Sequence, residues 1–149
     1  MTILHLVTIL ATGLLIGSEL SVSAFINPVV WKLDERATVA AFRLFAGLLG
    51  RVMPFWYAAC FILLIAETFV SPGHGANRTL LLTADILWAA VIFFSIAVLV
   101  PINNRIAALQ LSTSFNDWRP QHHRWETLHR VRIAVLLVAF VLLLLAILP

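Results

Sequence analysis

Four long apolar runs dominate the sequence and restrict the fold more than any motif does. A helix needs about 20 predominantly apolar residues to cross roughly 30 Å of hydrocarbon. Four stretches reach or approach that length: residues 3–30, 53–70, 80–100 and 131–148. We therefore predict an all-α integral membrane four-helix bundle that forms a single domain over residues 1–149.

Composition supports a membrane environment. Hydrophobic residues make up 62% of the chain and charged residues 11%, whereas a soluble domain usually carries about 25% charged residues. The basic residues are dispersed between the apolar runs and form no Lys/Arg block, so we predict a lipid bilayer and no nucleic acid as partner. The single cysteine, Cys60, leaves no intrachain disulfide.

The basic residues also predict an orientation. The connections spanning residues 31–52 and 101–132 contain nearly all of them, and Arg78 alone lies on the other side. The positive-inside rule then makes these connections cytoplasmic in a plasma (inner) membrane, with both termini outside. A cleaved signal peptide ending near Ala24 is an alternative, opposed by Glu19 and by the absence of Lys or Arg at the start.

Prolines and turn residues predict the helix ends. The segment 37–51 can belong to the second helix, because Pro54 would kink that helix without ending it. Pro101 is expected to end the third helix, and Ser71–Arg78 is expected to form an outer turn.

The connection between helices three and four is the longest one predicted. Asn104–Leu111 has a composition that suits a short amphipathic inner helix. Ser112–Pro120 is expected to be an irregular loop that caps the inner mouth of the bundle. It carries two aromatic residues, Phe115 and Trp118.

Polar residues of all four helices are predicted to share one layer near the inner face. Ionisable groups inside a span are costly and usually face the bundle interior. At 1.5 Å per residue, Glu19 and Arg51 both lie roughly 27 Å from the outer ends of their helices. The complete layer is Glu19, Arg51, Asn103, Asn104, His129 and Arg132.

Helical periodicity gives these residues a direction. With a step of about 100° per residue, the polar residues of helix one and those of helix four each fall on one narrow face. The first face holds His5, Thr8, Thr12, Glu19 and Ser23, and the second holds His122, Trp125, His129 and Arg132. If both faces point inward, Glu19 meets Arg132 or His129.

Two interpretations of the layer follow. In the first, it holds helices together, with Glu19 neutralising an arginine and the hydroxyl groups bonding across helices. In the second, it performs chemistry, because its carboxylate, imidazole, guanidinium, carboxamide and indole groups supply acid, base and anion-stabilising roles.

The Glu126-x-x-His129 spacing raises the alternative of a metal site, since di-iron bundles use this motif on facing helices. The second motif is missing, and the predicted second and third spans offer only Glu67 and Asp85, which lie toward the outer side as interfacial or helix-pairing groups. We therefore predict no metal, with His122, Glu126 and His129 as weak candidates and Glu19 as a ligand in a mixed variant of the site.

Glu126 is also expected to face about 60° away from His129. In that direction it can pair with Arg130, four residues along the same helix.

Three motifs together resemble the anthrone oxygenase-like family of small membrane proteins. They are Asn27-Pro28 at the end of the first span, Pro101-Ile102-Asn103-Asn104 after the third, and Trp125-x-x-x-His129-x-x-Arg132 opening the fourth. The resemblance covers the whole chain in the order and length of the spans. It implies oxidation of anthrones to anthraquinones with dioxygen, without an organic cofactor or metal.

The resemblance also implies roles for the polar layer. Substrate deprotonated to an electron-rich anion can itself reduce dioxygen. His129 would act as the base or orient it, and Glu19 would tune the imidazole or relay the proton. Arg132 with Asn103 or Asn104 would hold the anion, and Trp125, with Phe115 or Trp118, would stack on the substrate ring.

Two other functions remain open from the residues alone. The first is a non-enzymatic accessory subunit that packs in a larger membrane complex or forms a homo-oligomer. The second is a haem or quinone site at the inner mouth, with His129 or His122 as ligand or hydrogen-bond partner.

Overall fold

The computed structural model describes residues 2–70, 75–112 and 114–148, and the side chains of Ala76 and Phe115 lie outside that description. Within these residues the chain is all-α and contains no strand, which confirms the predicted fold class. Part of the predicted turn Ser71–Arg78 lies outside the described residues; Gly75, at a positive φ of 87°, directly precedes the next helix.

Four long helices form the molecule. Helix α1 spans Ile3–Val30, and helix α2 spans Glu35–Val70. Helix α3 consists of Ala76–Phe94, the π-helical turn Ser95–Leu99 and Val100–Ala107, and helix α4 spans Phe115–Ile147. Each is long and apolar enough to cross a membrane. Because a helix satisfies its own backbone hydrogen bonds, it suits a lipid environment, and the chain is a multi-pass membrane protein.

The helices form an up-and-down bundle. Each packs on its neighbour in sequence, and α4 also packs on α1, so the bundle closes. One end, here called the charged end, carries the α1–α2 and α3–α4 connections, and the opposite end, the terminal end, carries the chain termini. This connectivity brings the charged-end halves of all four helices together.

The core and the lipid-facing surface are both apolar. Leu15, Trp88 and Leu136 are fully buried at the centre of the bundle. Large apolar side chains such as Phe55 and Phe69 are 79% and 80% exposed on the outside. In a bilayer these outer side chains contact acyl chains, so polar contacts inside the bundle decide which helix faces meet.

Two of the predicted helix ends are wrong because the helices accommodate proline. Helix α2 continues through Pro54, as expected, but α3 also continues through Pro101 to Ala107. The π-helical turn Ser95–Leu99 ends two residues before this proline. Proline lacks an N–H, and its ring clashes with the carbonyl four residues earlier, so a wider turn relieves both problems. The segment beginning at Asn104 is therefore the end of α3 and not a separate helix.

The expected loop Ser112–Pro120 is also mostly helical, since α4 begins at Phe115. Pro120 lies in the second turn of α4 and is exposed, as is Asn116. The carbonyl that the proline leaves without a donor can therefore bond to water. Asp117 in the first turn adds a favourable interaction with the helix dipole.

Candidate functional site

A cavity of about 340 Å³ lies in the charged half of the bundle, between all four helices. Its volume falls within the range of small-molecule sites, roughly 300–1,000 Å³. Most of its wall is apolar, and the polar side chains are few. The residues that line the cavity include Ser18, Glu19, Val22, Gly50, Met53, Pro54, Tyr57, Ala58, Ser95, Ile96, Val100, Asn103, Asn104, Trp125, His129 and Arg132.

Glu19, His129 and Arg132 meet on the wall formed by α1 and α4. Arg132 Nη2 donates to Glu19 Oε2 at 2.5 Å and lies 2.8 Å from His129 Nδ1. His129 Nδ1 is also 3.1 Å from Glu19 Oε2. His129 and Glu19 are 1% and 3% exposed. The two polar helix faces predicted from periodicity therefore do point inward, and Glu19 contacts both Arg132 and His129.

The contacts around His129 assign its tautomer. Nε2 lies 3.2 Å from the main-chain carbonyl oxygen of Glu19, which can only accept a hydrogen bond. Nδ1 faces the Arg132 guanidinium, which can only donate. A neutral imidazole with its proton on Nε2 and its lone pair on Nδ1 satisfies both contacts. In that form Nδ1 and Glu19 Oε2, which lie 3.1 Å apart, both accept from Arg132 Nη2.

Two further polar residues, Tyr57 on α2 and Ser95 on α3, complete the cluster. The Tyr57 hydroxyl donates to Glu19 Oε1 at 3.1 Å, and its ring lies 5.4 Å from the Arg132 guanidinium carbon. Arg132 Nη1 donates to Ser95 Oγ at 3.3 Å. Sequence reasoning missed both residues. The available signal was a lone polar side chain deep in an apolar run.

Both π-helical turns lie at the level of the cavity. In α1 the turn Val22–Ile26 begins three residues after Glu19 and precedes Pro28. In α3 the turn Ser95–Leu99 contains Ser95 and precedes Pro101. Such turns are rare and frequently occur at functional sites. Here the two prolines account for their positions.

The two asparagines of the Pro101-Ile102-Asn103-Asn104 motif have different surroundings. Asn103 Nδ2 donates to the Ala46 carbonyl oxygen on α2 at 2.9 Å, and it packs so closely on Gly50 that a Cβ there would lie 2.9 Å away. Asn104 lines the cavity and is exposed at its edge. Asn103 thus holds α2 and α3 together, and Asn104 is the amide that remains at the cavity.

Arg51 is not part of the cluster, although its depth predicted that it would be. It is exposed and donates Nε to the Gly47 carbonyl oxygen of its own helix at 3.0 Å. Depth alone did not show on which face of α2 it lies.

The predicted aromatic residues separate into two places. Trp125 lines the cavity and stacks on His129, with ring centroids 4.6 Å apart and planes 12° apart. Trp118 is buried near the charged end, where it stacks on Trp31 at 5.6 Å, and it does not line the cavity. The side chain of Phe115 lies outside the described part of the chain. Of the two predicted aromatic side chains that the structure describes, Trp125 is the one positioned to contact a molecule in the cavity.

Glu126 joins the α1–α2 connection to α4. Its Oε1 accepts from Trp31 Nε1 at 2.7 Å, and its Oε2 lies 3.3 Å from His123 Nδ1. It is 8% exposed, and its hydrogen-bond partners are Trp31 and His123 in place of the expected Arg130. The periodicity argument considered α4 alone, whereas Trp31 contributes a half-buried donor from the α1–α2 connection.

The weak metal alternative gains no geometric support. His122 Nε2 lies 3.5 Å from Glu126 Oε1, whereas His129 contacts Glu19 and Arg132 instead. Within the described residues no group of three or more His, Cys, Asp or Glu side chains is arranged to hold a metal ion.

A smaller cavity of about 20 Å³ adjoins the charged side of the site. His122 and Asn27 line it, and both are at most 5% exposed. Asn27 Nδ2 and His122 Nδ1 have no hydrogen-bond partner among the described residues. The volume and the two polar atoms suit a single water molecule.

The polar residues of the terminal half form separate contacts. His5 Nδ1 lies 2.7 Å from Glu67 Oε2, and Thr68 donates to Asp85 Oδ2 at 2.7 Å. Glu67 and Asp85 therefore pair helices, as expected. The hydroxyl group of Thr12 donates to the carbonyl oxygen of Thr8 within α1. At Thr12, therefore, the hydroxyl group does not bond across helices, as the first interpretation required.

Comparison with known proteins gives a family for the chain. The family model described as "Anthrone oxygenase" matches residues 41–142, which is more than half of the chain. The match covers Asn103, Trp125, His129 and Arg132 of the site, whereas Glu19 precedes it. No curated protein and no solved structure matches the chain. On the family match, this four-helix membrane protein belongs to the anthrone oxygenase family.

Proposed function

We propose that the chain is a cofactor-independent oxygenase that uses dioxygen to oxidise a flat hydroxyaromatic molecule, with an anthrone as the model substrate. The observation that carries this proposal is the Glu19–His129–Arg132 cluster on the wall of a cavity that can hold a small molecule. Family membership supports the same class of reaction.

The first step is removal of a proton from the bound substrate. His129 Nδ1 is the only basic atom of the imidazole with a lone pair, and Arg132 covers it in the resting site. A substrate hydroxyl that draws the guanidinium toward itself frees Nδ1 to accept the proton. The imidazolium then donates to Glu19 Oε2, which is already 3.1 Å away.

Arg132 stabilises the resulting anion. Its Nε, which is buried, has no hydrogen-bond partner among the described residues, so the guanidinium has a donor to offer without leaving Glu19. A charge-assisted hydrogen bond in a site with little water is stronger than one in bulk solvent. Asn104 is the second donor proposed to bind the oxyanion.

The substrate anion then reduces dioxygen directly. In the case of anthrone, the methylene carbon loses both hydrogens and becomes a carbonyl carbon. One atom of dioxygen becomes that carbonyl oxygen, and the other leaves as water with the two hydrogens. The substrate supplies all four electrons, so the proposal requires no further reductant.

Trp125 has a positioning role in this proposal. Because its ring stacks on His129 and also lines the cavity, it fixes the plane of the imidazole and limits where a flat substrate can lie. Asn103 fixes the distance between α2 and α3.

We also propose an orientation for the protein in the inner membrane. The charged end faces the cytoplasm, since the basic residues are concentrated at that end.

Oxygen uptake tests the proposal. Protein in lipid nanodiscs is mixed with 1,8-dihydroxyanthrone, and uptake is compared with that of empty nanodiscs to subtract spontaneous oxidation. We expect His129→Gln to lower kcat by about 10²–10⁴, the usual contribution of a general base. The matched control is His123→Gln on the same helix, which is exposed and outside the cavity. Equal rates for wild type, His129→Gln and empty nanodiscs would contradict the proposal.

A further inference from the structure

The exposed part of the cavity wall lies on only two helices. On α1 and α4 the lining residues are buried or half-buried, including Glu19, Trp125 and His129. On α2 and α3, by contrast, six lining residues are also exposed on the outside of the bundle. They follow one another at four-residue intervals on each helix: Gly50, Pro54 and Ala58 on α2, and Ile96, Val100 and Asn104 on α3.

These six residues define a slot between α2 and α3. Toward the charged end the two helices are joined by the Asn103–Ala46 hydrogen bond of 2.9 Å. Toward the terminal end they are joined by the hydrogen bond from Trp88 Nε1 to the Tyr57 carbonyl oxygen, at 3.2 Å. The exposed lining residues of α2, which are Gly50, Pro54 and Ala58, all have small or compact side chains.

The depth of the slot places most of it beside lipid. Along α2, Ala58 lies about 18 Å and Gly50 about 30 Å from Val70 at the terminal end of the helix. The hydrocarbon layer is roughly 30 Å thick. The slot therefore extends from the headgroup level at the charged end toward the middle of the bilayer.

Polarity changes along the line from the slot to the opposite wall. At the slot the exposed residues are apolar apart from Asn104 at its charged end, and Ile96 is 64% exposed. The opposite wall holds the Glu19–His129–Arg132 cluster. A molecule that entered from the slot would thus pass apolar residues first and reach the polar groups with its leading edge.

We propose that ligands enter and leave the cavity sideways from the bilayer, through this slot. The inference rests on the proposed function only in taking the cavity as the ligand site. It narrows the substrate class to flat polycyclic phenols that dissolve in membranes and carry a hydroxyl group on one edge. Such a molecule lies at the headgroup level and enters with its hydroxyl edge toward Arg132.

Access is measured with single cysteines, which requires no turnover. The background is Cys60→Ala, because Cys60 is the only native thiol and is buried. Met53→Cys places a thiol on the cavity wall, and Phe55→Cys places one on the 79% exposed lipid-facing side nearby. Lys32→Cys, in the exposed α1–α2 connection, is the water-facing reference. Each is labelled in liposomes with N-cyclohexylmaleimide, which dissolves in lipid, or with the charged reagent sulfonatoethyl methanethiosulfonate.

A bulky side chain in the slot then tests the route. Ala58→Phe narrows the slot, whereas Ala59→Phe adds the same side chain at the next exposed position, outside the cavity. We expect N-cyclohexylmaleimide to label Met53→Cys readily. We expect Ala58→Phe to slow that reaction roughly tenfold or more, equivalent to about 1.4 kcal/mol of barrier. Labelling of Phe55→Cys should not change, and Ala59→Phe should have no effect at either cysteine.

Two results would overturn the proposal. In the first, the charged reagent modifies Met53→Cys as fast as Lys32→Cys, and Ala58→Phe does not change the labelling rate of Met53→Cys. That result would indicate that the cavity opens to water. The other is that neither reagent reaches Met53→Cys. Loss of the oxygenase proposal would leave this test unaffected, because an inactive protein can still admit a lipid-dissolved reagent. Conversely, an aqueous route would leave the catalytic proposal standing.

Discussion

At the scale of single residues, Arg132 and Glu19 determine the electrostatics of the cavity. Arg132 contacts Glu19, His129 and Ser95, while Glu19 also accepts from Tyr57. Removing one member of a buried ion pair costs more than the pair itself contributes, because the partner is left with an uncompensated charge. Substitutions at different members of the cluster should therefore lower the free energy of unfolding by very different amounts.

Glu19→Gln and Tyr57→Phe test this difference. Glu19→Gln leaves Arg132 buried without a counter-charge and should lower the free energy of unfolding by about 3–5 kcal/mol. Tyr57→Phe removes one donor and should cost about 0.5–1.5 kcal/mol. Unfolding in mild detergent, followed by circular dichroism, measures both. Similar small losses for the two variants would mean that Glu19 and Arg132 do not form a buried charge pair.

Gly50 tests the close approach of α2 and α3. In Gly50→Ala the new Cβ would lie 2.9 Å from Asn103 Nδ2, so the amide must shift, and we expect its hydrogen bond to Ala46 to weaken or break. Gly47→Ala on the same helix meets nothing within 4 Å and gains helix propensity. We expect Gly50→Ala to be less stable than Gly47→Ala by about 1–3 kcal/mol in the same unfolding assay. Equal stability would show that Asn103 does not pack on Gly50.

Periodicity in the sequence was enough to predict the Glu19, His129 and Arg132 encounter and the place of Trp125 beside it. It works because an unpaired polar group is so costly in lipid that helix faces with several of them turn inward. It could not predict the partners of Tyr57 or Glu126. Tyr57 depends on one contact with the neighbouring helix and Glu126 on one contact with the α1–α2 connection, and a single residue has no period.

At the scale of helices, Pro28 and Pro101 do not end their helices but are associated with wider turns at the level of the cavity. The number and order of the four spans followed from hydropathy alone, but the second, third and fourth helices are longer than the predicted spans. The ends did not, because Pro101 was expected to end α3 and instead follows a π-helical turn. Whether a helix stops at a proline or widens before it depends on packing against neighbouring helices, which the local sequence does not contain.

Pro101→Ala tests the link between this turn and the cavity. Alanine restores the missing N–H, so we expect Ser95–Leu99 to contract toward α-helix and Ser95 to lose its contact with Arg132. A hydrogen bond to a charged group contributes about 1.5–3 kcal/mol, so binding of 1,8-dihydroxyanthrone should weaken roughly tenfold or more. Hydrogen exchange at Ser95–Leu99 should slow as the helix becomes regular.

Pro120→Ala is the matched control for this change. Both prolines are exposed, but no π-helical turn precedes Pro120 in α4, and Pro120 itself does not line the cavity. Its ligand affinity should equal that of the wild type. If both variants bound equally well, the turn would have no role in forming the site.

At the scale of the whole molecule, the bundle contains two polar levels separated by an apolar centre. The cavity level holds Glu19, His129 and Arg132, and the terminal level holds the His5–Glu67 pair. The fully buried Leu15, Trp88 and Leu136 belong to the core cluster at the centre. This separation means that one level can serve a ligand while the other serves helix pairing.

Glu67→Gln and Glu19→Gln together test that division. Glu67 is fully buried and contacts His5, so its replacement should lower stability and leave binding of 1,8-dihydroxyanthrone unchanged. Glu19→Gln should reduce both. Because distant sites are nearly additive, the double variant should match the summed stability losses to within about 0.5 kcal/mol. Weaker ligand binding in Glu67→Gln alone would show that the two levels are coupled.

The most direct test of the account is an experimental structure of the protein in lipid with a dihydroxyanthraquinone bound, since that product binds without turning over. We predict that the rings occupy the cavity beside Trp125 and that one oxygen lies within hydrogen-bond distance of Arg132. The edge without that oxygen should face the slot between α2 and α3. A ligand bound among the aromatic side chains around Trp31 and Trp118, or on the outer surface with the cavity unchanged, would contradict the assignment of this site.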